Sequence, residues 1–259
     1  MKHISDSPMK PVSEALAYML KQAKGDLATE TINLMQAHNR ILAQEQIAQM
    51  NVPPADNSAM DGFAVRASDT KGASKNNPVS LKMVGVVSAG SPGDVVVGTG
   101  QCAQCMTGAL IPKFFDTIIP IEKIIFNNDK KHILINEKIK SNQHIRYAGS
   151  DYKKKDLVIK KGTIIQSSHI LAFKTLGITN IKVKKKPNIL FFSTGNEISN
   201  NKNIANWKVR NSNSHYIKSL SNNFMFNFID GGILRDKDDK LFKKKIEKSI
   251  KSKIDIIIT

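Results

Sequence analysis

Several residue types are scarce in this sequence of 259 residues, and each scarcity excludes a class of protein. Two cysteines are too few for a disulfide-stabilised scaffold or for a four-cysteine zinc site. No uninterrupted apolar run approaches the roughly 18 residues of a membrane span, so we expect no membrane association. The first residues lack the apolar core of a secretory signal, which predicts a cytoplasmic protein.

Arginine and aromatic residues are also scarce, although the net charge is +17. Five of the 39 basic residues are arginines, and aromatic residues make up 6% of the chain. Nucleic-acid sites favour arginine for bidentate contacts and aromatic rings for stacking. The lysines instead crowd the second half, in runs such as 153–155 and 184–186. We interpret them as solvated surface charges and expect no nucleic-acid partner, although a basic nucleic-acid binder stays open as an alternative.

The two cysteines, Cys102 and Cys105, are separated by two residues in a predicted strand. A second cysteine pair is absent from the sequence, and its six histidines are scattered. We therefore predict two buried, small, apolar side chains, with a redox role as the alternative.

Hydrophobic periodicity predicts a helix over 13–22, capped by Ser13, and then a β-rich region from 52 to about 144. Its predicted strands are 79–87, 95–99, 102–106, 117–120, 123–126 and 132–135. Short strands at 157–159, 163–165 and 181–183 follow, with a helix at 169–176. After Pro187 the pattern becomes strand 189–192, helix 213–223, strand 226–233, helix 237–252 and strand 254–259. This alternation predicts a parallel sheet with crossover helices.

These patterns predict an α/β multidomain fold with four parts. They are an N-terminal helix (1–30), a small linker domain (31–51 with 147–186), a β-rich insertion module (52–146) and an incomplete three-layer α/β domain (187–259). The last domain is predicted to be incomplete because an apolar strand at 254–259 belongs inside a parallel sheet.

The most informative stretch is the loop at 53–66. Two prolines stiffen its start, and Asp61-Gly62 permits a turn with positive φ. Such a loop is rigid without being helical, and it presents the carboxylates of Asp56 and Asp61 together. The alternative is a pair of turns carrying solvated acids.

The residue order at 57–66, Asn-Ser-Ala-Met-Asp-Gly-Phe-Ala-Val-Arg, closely resembles the signature loop of the molybdopterin molybdenumtransferases. These are the molybdenum insertases, which include the E domain of gephyrin. Three other segments resemble motifs of the same family: Met106-Thr-Gly-Ala109, Arg146-x-x-Gly-x-Asp151 and Ser193-Thr-Gly-Asn-Glu197. Asn196 stands where the family usually has Asp, and Asn213 matches a family asparagine at a helix start.

The resemblance implies insertion of molybdate into adenylated molybdopterin, with Mg²⁺ as cofactor and release of AMP. It implies a site shared between the subunits of a homodimer, in which 187–259 binds the pterin. The implied catalytic residues are Asp61, Thr107, Asp151 and Glu197. The implied Mg²⁺ ligands are Asp61, Asp151 and Glu197, because magnesium prefers oxygen ligands. The implied pterin-binding residues are Arg146, Ser193, Thr194, Gly195 and Asn213.

The resemblance also implies that family members continue beyond residue 259 with a glycine-rich loop and a C-terminal β-domain. We therefore expect an incomplete enzyme, to which a separate chain could supply the missing part. The alternative within the same family is a non-catalytic protein that dimerises and serves as a scaffold.

Overall fold

The computed structural model describes residues 10–23, 25–129 and 131–259, with the backbone alone at 239. Its helices are α1 (Val12–Gln22), α2 (Ser167–Thr175), α3 (Ser212–Leu220) and α4 (Asp239–Ile250). Its strands are β1 (Thr29–Asn33), β2 (Gln46–Ile47), β3 (Asn57–Ser58), β4 (Gly62–Val65), β5 (Val79–Val87), β6 (Gln101–Cys105), β7 (Thr117–Pro120), β8 (Ile125–Phe126), β9 (His132–Ile135), β10 (Ile145–Arg146), β11 (Leu157–Ile159), β12 (Asn180–Lys184), β13 (Asn188–Thr194), β14 (Ile198–Ser199), β15 (Val209–Arg210), β16 (Asn227–Leu234) and β17 (Ile256–Ile258). Among the helices of these residues, none combines the length and apolar character that crossing a bilayer requires.

The chain separates into two compact units, which are described here one at a time. The first contains the described residues of 1–44, 161–170 and 179–259, and the second contains those of 45–160 and 171–178. The predicted β-rich module therefore lies within the second unit, and the predicted parallel-sheet domain lies within the first. The subdivision into four domains stays a prediction.

The second unit is built on a mixed six-stranded sheet with the order β7-β4-β6-β5-β9-β8. Neighbouring strands are antiparallel except for the parallel pair β5 and β6. Side chains alternate along β4, so that Phe63 and Val65 join one apolar cluster and Ala64 joins another. The central strands are consequently buried on both faces.

The two cysteines of β6 are both fully buried in this sheet. Burial raises the pKa of Cys102 to about 12 and that of Cys105 to about 11. Because the thiolate is the reactive form of cysteine, such thiols are inert at neutral pH. The prediction of two buried, small, apolar side chains is confirmed.

The first unit contains a three-stranded parallel sheet with the order β16-β13-β17. Helix α3 precedes β16 and helix α4 precedes β17, as the alternating sequence pattern predicts. Leu190, Phe192 and Leu234 form the core of the sheet, and the ring of Phe192 packs edge-on against Phe242 of α4 at 6.1 Å. The same unit contains the antiparallel pair β1 and β12.

Three local predictions are wrong. Helix α1 begins at Val12 after Pro11, so Ser13 lies inside the first turn and does not cap the helix. Residues 95–99 form no strand: the amide of Val95 donates to the carbonyl of Gly93 and the amide of Gly98 donates to the side chain of Gln101. Residues 163–165 contribute a single bridge, from Ile164 to Ile41, which is too short to form a strand.

Candidate functional site

The loop that follows the two prolines is held by two other segments of the second unit. Strand β3 pairs with β10, so Ser58 lies opposite Ile145. The amide of Ser58 donates to the carbonyl of Ala109 at 2.9 Å, and the amide of Gly108 donates to the carbonyl of Ser58 at 2.8 Å. Three of the four segments that resemble family motifs therefore meet at one place.

Asp61 lies at the end of this loop and accepts two hydrogen bonds from Thr107. Its Oδ1 atom is 2.6 Å from the Thr107 amide nitrogen and 2.7 Å from the Thr107 hydroxyl oxygen. The amide bond and then the hydroxyl bond lower the pKa of Asp61 below its ordinary value. The carboxylate is therefore ionised at neutral pH.

Glycine is required next to Asp61, because the following strand lies very close to its neighbour. A Cβ atom on Gly62 would lie 2.1 Å from the carbonyl oxygen of Ile119. No side chain fits in that space, so Gly62 lets β4 enter the sheet immediately after the acid.

Arg146 and Asp151 form an ion pair on the surface of the second unit. The Nη2 atom of Arg146 donates to Oδ2 of Asp151 at 2.6 Å, and about half of each side chain is exposed. The amide of Asp151 donates to the carbonyl of Val52 at 2.9 Å, and the amide of Ala148 donates to Oδ1 of Asp56 at 2.8 Å. These bonds hold the segment against the start of the proline-stiffened loop.

The fourth segment lies in the first unit, at the carboxyl end of β13. Ser193 is buried, and its hydroxyl donates to Oδ1 of Asn211 at 2.7 Å, so this hydroxyl orients the turn rather than facing solvent. Gly195 has a φ of +137°, and a Cβ atom there would lie 2.5 Å from the Glu197 carboxylate. Glu197 is itself exposed.

The residue that supports this turn, Arg235, is not pointed out by the sequence motifs. Its Nη1 atom donates to the carbonyls of Gly195 at 2.8 Å, Asn196 at 3.1 Å and Ile198 at 2.8 Å. Asn196, which stands where the family usually has Asp, donates from Nδ2 to Oδ2 of Asp236 at 2.6 Å. In the sequence, only the basic and acidic pair Arg235 and Asp236, directly after β16, indicates that this position supports the turn.

The cavity beside this turn has a volume of about 270 Å³. Its lining includes Ser193, Thr194, Asn213 and Tyr216, so three of the predicted pterin-binding residues share it. Helix α3 begins at Ser212 after Asn211, which places Asn213 in the first turn rather than at the cap. Its side chain is therefore free of a capping role.

A larger cavity of about 800 Å³ lies in the second unit and has Asp56 and Ile145 in its lining. Its other walls include Leu110, Phe114 and Phe115, which follow the Met106–Ala109 turn. No sequence motif indicated it, because its walls come from loops that lack a periodic pattern.

The three predicted magnesium ligands each have carboxylate oxygens of the kind that magnesium binds. Asp61 uses only Oδ1 for Thr107, and Asp151 uses only Oδ2 for Arg146 within the part of the chain that the structure describes. These donors suit a hard cation. Across residues 10–23, 25–129 and 131–259, however, no group of three or more His, Cys, Asp or Glu side chains is arranged to hold a metal ion.

Comparison with known proteins gives consistent matches. Residues 10–177 match the family model described as MoeA N-terminal region (domain I and II). The molybdopterin molybdenumtransferase of Staphylococcus aureus (strain N315) is 33% identical over 251 residues, which cover 96% of this chain and 58% of the relative. The molybdopterin molybdenumtransferase of Haemophilus influenzae is 33% identical over 252 residues, covering 97% of this chain and 60% of the relative.

A solved structure is similar over the same extent. The crystal structure of the molybdopterin biosynthesis moeA protein from Pyrococcus horikoshii OT3 matches with a TM-score of 0.89 and 31% identity. The match covers 96% of this chain and 66% of that chain. This chain therefore spans about three fifths of the length of the curated relatives above, at 58% and 60%.

Proposed function

This chain belongs to the MoeA family of molybdopterin molybdenumtransferases, and from this membership we propose that it takes part in inserting molybdate into adenylated molybdopterin with release of AMP. The observation that carries the proposal is the double hydrogen bond from Thr107 to Asp61. It keeps an ionised carboxylate at the point where three segments with family-like sequences meet. A fixed negative charge at that point suits a reaction that needs a bound cation.

The proposed roles follow the charge of each group. Asp61, Asp151 and Glu197 would each offer a carboxylate oxygen to Mg²⁺ as a separate candidate ligand, since the described residues contain no group of three acids arranged around one ion. When bound, the ion would offset the negative charge of the adenylate phosphate and of molybdate. Arg146 would contact an anionic group of the substrate, because a guanidinium donates to phosphate in a bidentate manner.

The turn after β13 is proposed to hold the pterin phosphate. Backbone amides at the carboxyl end of a parallel strand bind anions, and Gly195, at a φ of +137°, gives this turn a conformation that other residues rarely adopt. Thr194 and Asn213 line the cavity beside this turn, and Ser193 holds the turn in place through Asn211. The alternation of Phe192 toward α4 and Ser193 toward the start of α3 supports the three-layer arrangement that we propose for this domain.

We further propose that the protein is a cytoplasmic homodimer and that a separate chain can supply further parts of the site. Sedimentation of the purified chain tests the dimer. We expect a mass of twice 28.7 kDa, and sedimentation as a single chain at micromolar concentration would contradict it.

The activity is tested in a version of the protein completed with the C-terminal part of a relative, by incubation with adenylated molybdopterin, Mg²⁺ and molybdate and measurement of released AMP. We expect Asp61→Asn to lower the rate at least about 100-fold, since losing a preorganised charge at a reacting centre has effects of this order. Asp94→Asn is the matched control, because Asp94 is an exposed acid of the same unit.

Measurable AMP release at the same rate by the unsubstituted protein and by Asp61→Asn would refute the role of Asp61. An intact dimer that binds no pterin in isothermal titration would favour the alternative of a non-catalytic, dimerising protein.

A further inference from the structure

A second cavity in the first unit lies outside the site described above and has a volume of about 450 Å³. We propose that it binds a small anionic amphiphile, meaning a compact molecule with an apolar body and one negatively charged head group. Its volume falls in the range of small-molecule sites, roughly 300–1,000 Å³. The proposal does not depend on the molybdenum chemistry proposed above.

The walls of this cavity are mostly apolar, and several of their side chains are unusually exposed. Ile41 is 39% exposed, Ile164 is 55% exposed and Phe224 is 70% exposed. Leu27 and Met225 complete the apolar surface. Burying apolar side chains of a concave surface against an apolar ligand is favourable, because it removes their surface from water. We therefore expect the ligand to have an apolar body.

The rim of the cavity is positively charged, and two of its lysines have no acidic partner among the residues that the structure describes. Arg40 and Lys184 also line it, but Arg40 pairs with Glu30 and Lys184 pairs with Asp26. Lys185 and Lys186 form no ion pair with any described residue.

No acidic residue belongs to the described lining of this cavity. Two ammonium groups that pair with no described acid, beside an apolar wall, favour a ligand with one anionic head. An apolar cation would find no partner there.

The backbone around the cavity is held in place before any ligand binds. The amide of Lys184 donates to the carbonyl of Ile41 at 2.8 Å, and the amide of Lys185 donates to the carbonyl of Ala28 at 2.7 Å. Two lining residues, Asn39 at a φ of 63° and Met225 at 54°, adopt the left-handed conformation. For methionine this conformation is uncommon, and such strain concentrates where a ligand is held.

Fluorescence of 8-anilinonaphthalene-1-sulfonate tests the proposal, because this dye combines an apolar ring system with one sulfonate. We expect a single saturable site on the full chain. Changing both of these rim lysines, Lys185→Gln with Lys186→Gln, should weaken binding about tenfold, as expected when two charge-assisted contacts are lost.

The matched control is Lys243→Gln with Lys244→Gln, which removes the same charge from adjacent exposed lysines of α4. This control should bind the dye within about twofold of wild type. Equal weakening in both double variants would show a general charge effect and overturn the proposal, as would unchanged binding in the first.

The apolar wall is tested separately with Phe224→Ser, which should weaken dye binding about fivefold and leave the fold intact, because Phe224 is 70% exposed. Octanoate should displace the dye, whereas inorganic phosphate at the same concentration should not. Displacement by phosphate alone, or unchanged binding by Phe224→Ser, would overturn the proposal of an amphiphile.

Discussion

At the scale of single residues, the candidate site depends on polar groups that are distant in the sequence. Thr107 reaches Asp61 across 46 positions, and Arg235 reaches Gly195 across 40. In both cases a backbone or side-chain donor fixes a group whose identity the sequence motif had already pointed out. The motif residues are therefore positioned by partners outside their own motif.

The titration of Asp61 provides a prediction at this scale. Thr107→Val removes the hydroxyl donor and keeps the amide donor, so the pKa of Asp61 should rise toward its ordinary value. Carbon-13 NMR titration of the aspartate carboxyl groups measures this. Asp129 is the internal control, because its pKa is lowered by the backbone amide of Lys131 and then by the side chain of His132, independently of Thr107.

The lowered pKa of Asp61 also makes the stability of the fold depend on pH, and the direction of the pKa shift sets the direction of that dependence. A folded-state pKa below the unfolded value favours the fold above the unfolded pKa, and that contribution disappears as the pH falls through the folded pKa. In Thr107→Val, whose folded-state pKa of Asp61 is higher, this stabilising contribution should therefore disappear at a higher pH than in the wild-type protein. An Asp61 titration curve identical to wild type would contradict the role given to the hydroxyl.

Gly62 provides a second prediction at the residue scale. Gly62→Ala forces a Cβ atom against the Ile119 carbonyl, and we expect it to lower the free energy of unfolding by about 1–3 kcal/mol. Gly98→Ala is the control in the same unit, since its Cβ atom would meet only the Gln101 side chain at 3.6 Å. Urea unfolding followed by circular dichroism compares the two, and equal stability of both variants would refute the steric argument.

At the scale of elements, β13 connects the core of the first unit to its functional turn. Its Leu190 and Phe192 form the core with Leu234, and Ser193 and Thr194 lie at its carboxyl end. The Nζ atom of Lys245 lies 5.3 Å from the centre of the Phe192 ring, which adds a cation–π contact from α4. Packing of this strand therefore sets where the turn begins.

Truncating the ring of Phe192 tests this dependence. Phe192→Ala should lower the free energy of unfolding by about 3–5 kcal/mol, because it removes a fully packed ring and leaves a cavity. Phe224→Ala, at a ring that is 70% exposed, should change it by less than about 0.5 kcal/mol. Urea unfolding measures both values, and a cost at Phe192 no larger than at Phe224 would contradict the packing described here.

At the scale of the whole molecule, the charge is dominated by lysine. The chain carries a net charge of +17 with an isoelectric point near 9.8. Lysine is a flexible, strongly hydrated cation that suits solvated surfaces better than the reading of bases. The excess charge therefore predicts weak and unspecific attraction to polyanions rather than a dedicated nucleic-acid site.

Fluorescence anisotropy with two unrelated DNA duplexes of about 20 base pairs tests this prediction, on the basis that unspecific binding is electrostatic. We expect equal binding of both duplexes, with dissociation constants no tighter than about 1 μM at physiological salt and a steep loss as salt rises. Nanomolar binding of one duplex that persists at high salt would revive the nucleic-acid alternative.

The secondary structure was largely predictable because burial leaves a periodic trace in the sequence. Strands β5, β7 and β9 begin and end where the apolar pattern indicates. Residues 95–99 misled that reasoning, because Val95 and Val97 pack on the sheet as an extended segment without ladder partners. Hydrophobic pattern reports burial, whereas a strand also requires a neighbouring backbone at hydrogen-bonding distance.

The order of the elements, the parallel sheet after Pro187 and the acid-bearing loop follow from local sequence, because backbone preference and apolar period are local properties. Three features emerge only in the folded chain: Thr107 bonds Asp61, Arg235 holds the turn after β13, and two lysines, Lys185 and Lys186, border an apolar cavity. Each of these contacts joins residues that lie far apart along the chain. Their distances depend on how entire sheets pair and pack, which no local pattern encodes.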